Sequence, residues 1–268
     1  MNNLLRELAP ISEAAWAEIE EEAKRTLKCH LGGRKVVDIC GPKGFDLSAV
    51  GTGHVKRIDA PAKGVGAVQR EVKPLVELRV PFELSRQAID DVERGSQDSD
   101  WDPLKEAARQ IAFAEDRAIF DGYAAAGIRG IRQEASNEAV VLPAAAMSYP
   151  QAVAQAVSRL RLAGVEGPYA LALGQGAYTA ASGGSDDGYP VLEHVERLVN
   201  GGIVWAPGIE GGAVVSTRGG DFELDIGQDF SIGYLNHSDT AVTLYLQETM
   251  TFRMLTAEAA VSLDPAAA

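Results

Sequence analysis

Residues Asp90–Gly130 read DDVERGSQDSDWDPLKEAARQIAFAEDRAIFDGYAAAGIRG. Asp102 followed by Pro103 marks a helix start, with a capping carboxylate and then a proline at the first helical position. From there Leu104, Ala108, Ile111, Glu115, Ala118, Ile119 and Gly122 recur at helical spacing and form one stripe of a long amphipathic helix. The stripe is poor in large side chains and contains a carboxylate. It suits a helix lying close across a sheet rather than a coiled-coil seam. The same pattern also fits a core helix of an ordinary α/β enzyme. Glu115 reads as an ion-paired structural glutamate, with Arg79 or Arg86 as candidate partners, the alternative being a catalytic carboxylate.

N-terminal to this stretch, Ser12 caps a helix, and Ile11 with Trp16 forms a hydrophobic staple. Trp16, Ile19, Ala23, Leu27 and Leu31 make its apolar stripe, and Gly32–Gly33 ends it. Arg34–Cys40 reads as a strand. Residues 41–74 hold many glycines and no helical period. Alternation in HVKRI, and again at Val76, Leu78, Val80 and Phe82, predicts an extended two-stranded arm. An arm with so little core of its own needs a surface to lie on, and a neighbouring subunit is the obvious one. On the C-terminal side, 131–220 alternates strands and helices as a small α/β unit. The rest is strand. In Thr240–Leu255, Val242, Leu244, Leu246, Met250, Phe252 and Met254 share one face, a strand of roughly 40 Å.

The chain of 268 residues has 25 basic and 38 acidic residues, a net charge of −13. That argues against nucleic acid, which requires clustered cations, and against an anionic membrane. No apolar run reaches the length of a membrane span. The N-terminus carries no signal-like segment, which points to a cytosolic protein. Cys29 and Cys40 make neither a disulfide framework nor a zinc site. His30, His54, His194 and His237 are scattered, so no metal site is expected. There is no nucleophile elbow or Walker loop. Gly174–Gln175–Gly176 stands where a dinucleotide loop would, but the third glycine is replaced by Thr179. His194 between Glu193 and Glu196 reads as a solvated helix face. With no catalytic residues, an arm and an over-long strand, the chain looks built to assemble.

MNNLLRELAPISEAAWAEIEEEA, GRKVVD, PLVELRVPF, AIDDVERGSQDSDWDPLKEAA, AEDRAIFDGY, GVEGPY, GGIVWAP, STRGGDFELDIGQDFSIGY and LYLQETMTF, in that order, resemble the type 1 encapsulin shell proteins, most closely those once named linocin-like bacteriocins. The resemblance runs from residue 1 to about 255. It implies an α+β chain with the tailed-bacteriophage major capsid protein fold. The N-terminal helix and first strand of a peripheral domain occupy 1–40 and an extended loop 41–80. The peripheral domain with its spine helix follows at 81–130, an axial domain at 131–220, and peripheral strands and C-terminus at 221–268. It further implies an icosahedral shell of copies of this chain in the cytosol. The enclosed cargo enzyme would be a dye-decolourising haem peroxidase first, or a ferritin-like protein, in the service of oxidative stress or iron storage.

The resemblance places an extended C-terminal cargo peptide between the N-terminal helix and the peripheral domain. The residues here that can supply pockets are Leu27, Leu31, Val36, Phe230, Ile232 and Tyr234, with Arg34 and Asp38 as polar handles. It places Ser185, Asp186, Asp187, Gly188 and Tyr189, in GGSDDGYP, around a five-fold pore where carboxylates would favour cations. Some members hold a flavin against a tryptophan. The matching position here is Gln87, so no flavin and no other cofactor is expected. Alternative readings are a bacteriocin or protease-type enzyme, or a genome-free phage-derived capsid protein.

Overall fold

The computed structural model describes residues 3–186 and 188–266. Helix α1, Glu13–His30, starts where Ser12 Oγ accepts the Ala15 N–H. Its apolar stripe is buried from Ala15 to Leu27. A short turn, Gly33–Lys35, then leads to strand β1, which is confined to Asp38–Cys40. The strand expected from Arg34 onward is therefore shorter.

The arm is strands β2, Ala49–Ile58, and β3, Ala67–Pro74, which pair only with each other as a two-stranded sheet. The alternation at Val76–Phe82, expected in the arm, belongs instead to β4, Val76–Ser85, which pairs with the main sheet. Helix α2, Arg86–Glu93, follows directly, with Ser85 Oγ accepting the Ala88 N–H.

Helix α3 runs Asp102–Phe120. Its N-cap is Trp101, so Asp102 is the first helical residue and not the cap. Leu104, Ala108, Ile111, Glu115, Ala118 and Ile119 are all buried, as the stripe predicts. The small residues on it let α3 lie against α1 on one side and across β4 and the longest strand on the other.

A four-residue helix α4, Ile131–Glu134, opens the second unit. It contains strand β5, Val140–Leu142, helix α5, Tyr149–Leu162, strand β6, Tyr169–Leu173, and helix α6, Gln175–Gly183. A small hairpin of β7, Ser185–Asp186, and β8, Tyr189–Pro190, precedes helix α7, Val191–Glu196. Strands β9, Ile203–Trp205, and β10, Gly212–Ser216, complete it.

The chain then returns to the first sheet with β11, Phe222–Ile226, β12, Ser231–His237, and β13, Ala241–Met254. Strand β13 organises that sheet. Leu246 pairs with Val80 of β4 on one edge and Ile232 of β12 on the other, and beyond β12 the second edge passes to β11, which pairs in turn with β1. The final strand, β14, Ala260–Pro265, lies between β5 and β10 in a second sheet ordered β5-β14-β10-β6-β9. Residues 221–268, assigned above to the peripheral unit, thus send their last strand into the second sheet.

Two clusters of buried side chains result. One, including Ile19, Leu104, Ile111 and Leu244, fills the space between α1, α2, α3 and the first sheet. The other, including Leu160, Leu171, Val214 and Val261, surrounds the second sheet.

Candidate functional site: a groove beside the first helix

On the apolar face of β13 one carboxylate interrupts the alternation, Glu248, which is fully buried. Glu115 in the α3 stripe is also fully buried. Their common cation is Arg34, from the turn after α1. Arg34 Nε donates to both oxygens of Glu115, at 3.0 and 2.9 Å, and Nη2 donates to Glu115 Oε2 at 2.7 Å and Glu248 Oε1 at 3.0 Å. Nη1 lies 2.9 Å from Asp229 Oδ1. Neither Arg79 nor Arg86 makes this pair: Arg79 reaches Gln247 Oε1 at 2.6 Å and Glu77, and Arg86 forms no ion pair among the described residues.

Burial opposes the Arg34 charge, but Glu115, Glu248 and Asp229 outweigh it and hold its pKa above the ordinary value. Glu248 Oε2 is buried and accepts no hydrogen bond. Burial first, and the charge of Glu115 second, push the Glu248 carboxyl well above the usual carboxylate range. Glu248 therefore holds its proton to higher pH than an ordinary glutamate.

A second buried carboxyl fixes the exit of α1. Asp116 Oδ2 accepts the Gly32 N–H at 3.0 Å and Oδ1 accepts the Gly33 N–H at 2.7 Å. Burial pushes Asp116 up to about 7, against the pull of those two donors. Residue 32 must be glycine for this approach, because a Cβ there would stand 2.8 Å from Ala206 Cα.

Above this network lies a groove of about 720 Å³ between α1 and the segment leading into β12. Leu27, Leu31, Arg34, Phe230 and Ile232 line it. The Arg34 guanidinium sits 4.4 Å from the centre of the Phe230 ring, so the ion cluster backs the groove wall. The other three expected residues do not line it. Val36 is buried in the core around the second sheet. Asp38 accepts the Gly220 N–H at 2.6 Å from the far side of β1. Tyr234 bonds His237 Nδ1 through its hydroxyl at 2.6 Å, and its backbone N–H donates to the Leu4 carbonyl.

Sequence reasoning missed Leu4, Ala23, Lys24, Lys28, Lys35 and Leu246. Part of the signal was present, since Ala23, Lys24, Leu27, Lys28 and Leu31 share one helix face by spacing. Lys24, Lys28 and Lys35 are exposed on the rim and form no ion pair among the described residues. The arrangement offers an apolar floor edged by these three lysines, while the lining carboxylates Glu20 and Asp229 are paired with Arg6 and Arg34.

The pore-loop candidates lie elsewhere, at the β7–β8 hairpin. Ser185 pairs with Pro190 and Asp186 with Tyr189, and Gly188 takes the left-handed backbone that the tight turn requires, at φ 85°. The Tyr189 ring is 5.1 Å from the Arg197 guanidinium and edge-on to His194. Asp187 and the side chain of Asp186 lie outside the described residues. Among the described residues no group of three or more His, Cys, Asp or Glu could hold a metal ion, and no helix is long and apolar enough to cross a membrane.

The family model described as encapsulating protein for peroxidase matches residues 1–251. A type 1 encapsulin shell protein from Rhodococcus erythropolis is 60% identical over 263 residues, covering 98% of this chain and 100% of the relative. One from Mycobacterium tuberculosis is 57% identical over 264 residues, covering 98% and 100%. Among solved structures, a virus-like particle from Pyrococcus furiosus superposes with a TM-score of 0.62 at 17% identity, covering 92% of this chain and 98% of that one. The chain described as Gordonia phage Cozz superposes at 0.55 and 12% identity, covering 89% and 87%. These two likenesses speak to the fold, which is that of the tailed-bacteriophage major capsid proteins. The chain belongs to the type 1 encapsulin shell proteins, a family of structural subunits and not of enzymes.

Proposed function

We propose that copies of this chain close into an icosahedral nanocompartment in the cytosol and enclose a peroxidase, whose C-terminal tail lies in the groove beside α1. The observation that carries this is the groove itself. It is apolar, it is open on the subunit, and its wall is braced from behind by a buried ion cluster. An extended peptide is captured by such a surface through side-chain pockets and a few polar handles. The wording of the matching family model supports a peroxidase over a ferritin-like cargo. In this reading residues 41–75 form the extended loop and 76–130 with 221–259 the peripheral domain. Residues 131–220, joined by Ala260–Pro265, form the axial domain.

The test is cargo retention. Phe230→Ser with Ile232→Ser, expressed beside a peroxidase bearing such a tail, should give particles of wild-type size with about ten-fold less haem per shell, since a few anchors dominate peptide docking. Wild-type haem content in intact particles would place the docking site elsewhere.

The β7–β8 hairpin is proposed to ring a five-fold pore, with Asp186 and Asp187 repeated around the axis. Such a ring concentrates cations and repels anions. Asp186→Asn with Asp187→Asn should slow entry of a divalent cation into preformed shells by about two- to ten-fold at low salt. An unchanged entry rate would remove the hairpin from the pathway.

A further inference from the structure

Gly174–Gln175–Gly176 lacks the third glycine of a dinucleotide loop, and assembly gives it no task. It joins β6 to α6, the strand-to-helix context in which such loops hold phosphates. Gly174 caps α6, and no side chain closes the helix start. The Tyr178 N–H makes the first helical bond, to the Gly174 carbonyl. The amides of Gln175, Gly176 and Ala177 have no partner among the described residues. Three free donors and the positive end of the helix dipole therefore point out of the helix together. They open on a cavity of about 890 Å³, walled by Leu142, Pro143, Ile209 and Pro265. A Cβ at residue 174 would stand 2.2 Å from the Ile209 carbonyl oxygen, so glycine lets the 207–211 loop lie over the helix start. A Cβ at residue 176 would meet nothing within 4 Å, so that stretch of backbone is open to the cavity.

A second group lines the same cavity with nothing to bond. Tyr149 is only 4% exposed, and its ring packs into the core around the second sheet. Its hydroxyl is the part left to face the cavity, and it has no hydrogen-bond partner among the described residues. A buried tyrosine ordinarily finds such a partner. Burial raises the pKa of this phenol, so it stays protonated and serves as a donor. Arg117 lines the cavity as well. Its Nε donates to the Gly208 carbonyl at 2.8 Å, and it makes no ion pair among the described residues, which leaves the outer donors of its fork free. One carboxylate, the exposed Glu210, stands on the lining of the same cavity. Three amides, a phenol and a guanidinium outweigh it and suit an anion with several oxygens.

We infer that this cavity binds a phosphate group, its oxygens held by the Gln175–Ala177 amides, the Tyr149 hydroxyl and Arg117. The phosphate is free or the head of a small organic phosphate, whose body then lies on Leu142, Pro143 and Ile209. The inference rests on the fold of the subunit and not on the shell reading.

The experiment is equilibrium dialysis of the purified full chain against labelled inorganic phosphate and, separately, adenosine monophosphate, at low ionic strength. Inorganic phosphate should bind the wild type saturably, at one site per subunit. Tighter binding of adenosine monophosphate would make the natural source an organic phosphate, and equal or weaker binding would make it free phosphate; both support the site. Tyr149→Phe should weaken phosphate binding about ten-fold, the worth of one hydrogen bond to a charged group. It should leave the melting temperature without phosphate unchanged, because the hydroxyl has no protein partner to lose. Gly176→Asp should abolish binding by setting a carboxylate over the amides. The space for it is open, and an acid in the first turn favours the helix, so the fold is kept. Lys24→Ala with Lys28→Ala, on the rim of the groove beside α1, should leave binding unchanged. No saturable binding by the wild type, or binding undiminished in Tyr149→Phe or Gly176→Asp, would overturn the inference. So would binding lost with the two lysines, which would assign the phosphate to the groove rim.

Discussion

Arg34→Ala should destabilise the subunit by about 3–5 kcal/mol, the cost of stripping one partner from a buried ion pair. Among the described residues Arg34 is the one cation that reaches both Glu115 and Glu248, and both carboxyls are fully buried. Without it Glu115 keeps a charge that nothing neutralises, and Glu248 loses its donor. For a chain of this size, at about 2–4 °C per kcal/mol, the melting point should fall by on the order of 10 °C. Arg34→Lys should recover only part of this, because an ammonium cannot reproduce the two-pronged contact with Glu115. Replacing Arg34, Glu115 and Glu248 together by apolar residues of similar volume should cost far less than Arg34→Ala alone. Thermal melts of the three variants check this. A loss below about 1 kcal/mol for Arg34→Ala would mean the cluster is hydrated and not a buried ion pair.

Glu248→Gln should extend the stability of the protein toward alkaline pH. The folded-state pKa of Glu248 is raised by burial, then by Glu115. A carboxyl raised in this way contributes stability that is complete below the ordinary carboxylate range. That contribution is lost as pH rises through the raised value, at about 1.4 kcal/mol per pH unit while the unfolded chain is already ionised. Asp116, pushed up to about 7, acts in the same direction. Glutamine keeps the hydrogen bond to Arg34 and removes the titration, so the variant's melting curve should fall less steeply with pH. Asp116→Asn would not serve as a control for Glu248, because Asp116 also holds the Gly32 and Gly33 amides. Parallel slopes for wild type and Glu248→Gln would show that titration of Glu248 does not govern the loss of stability with rising pH.

Much of the fold was legible where a pattern is local and periodic. The α3 stripe from Leu104 to Ile119 is buried as its spacing predicts, because one helix face must cover one sheet. The alternation in β13 likewise gave a long central strand. Glu248 falls on that apolar face by spacing but was not singled out, and what it meets was not legible. The partner of Glu115 was not legible, since Arg34 lies 81 residues away and only the packing of α1 against α3 brings it there. Local pattern also misplaced Val76–Phe82, because alternation declares a strand without declaring its partner: β4 pairs with β13, not with the arm. The place of strand β14 was not legible for a related reason. Ala260–Pro265 is short and lacks turn signals, and its place between β5 and β10 is set by long-range pairing. For the groove, the helix face bearing Leu27 and Leu31 was readable. Asp38 and Tyr234 are on strands whose side chains turn to other partners, Gly220 and His237.

The central claim is that this chain is a shell subunit whose surfaces are built for copies of itself. It is tested most directly by electron microscopy of the purified protein eluting ahead of any small oligomer on a sizing column, with nucleic-acid absorbance read on the same fraction. The account predicts uniform, closed, hollow particles free of nucleic acid. A folded monomer or small oligomer at the same concentration would contradict it.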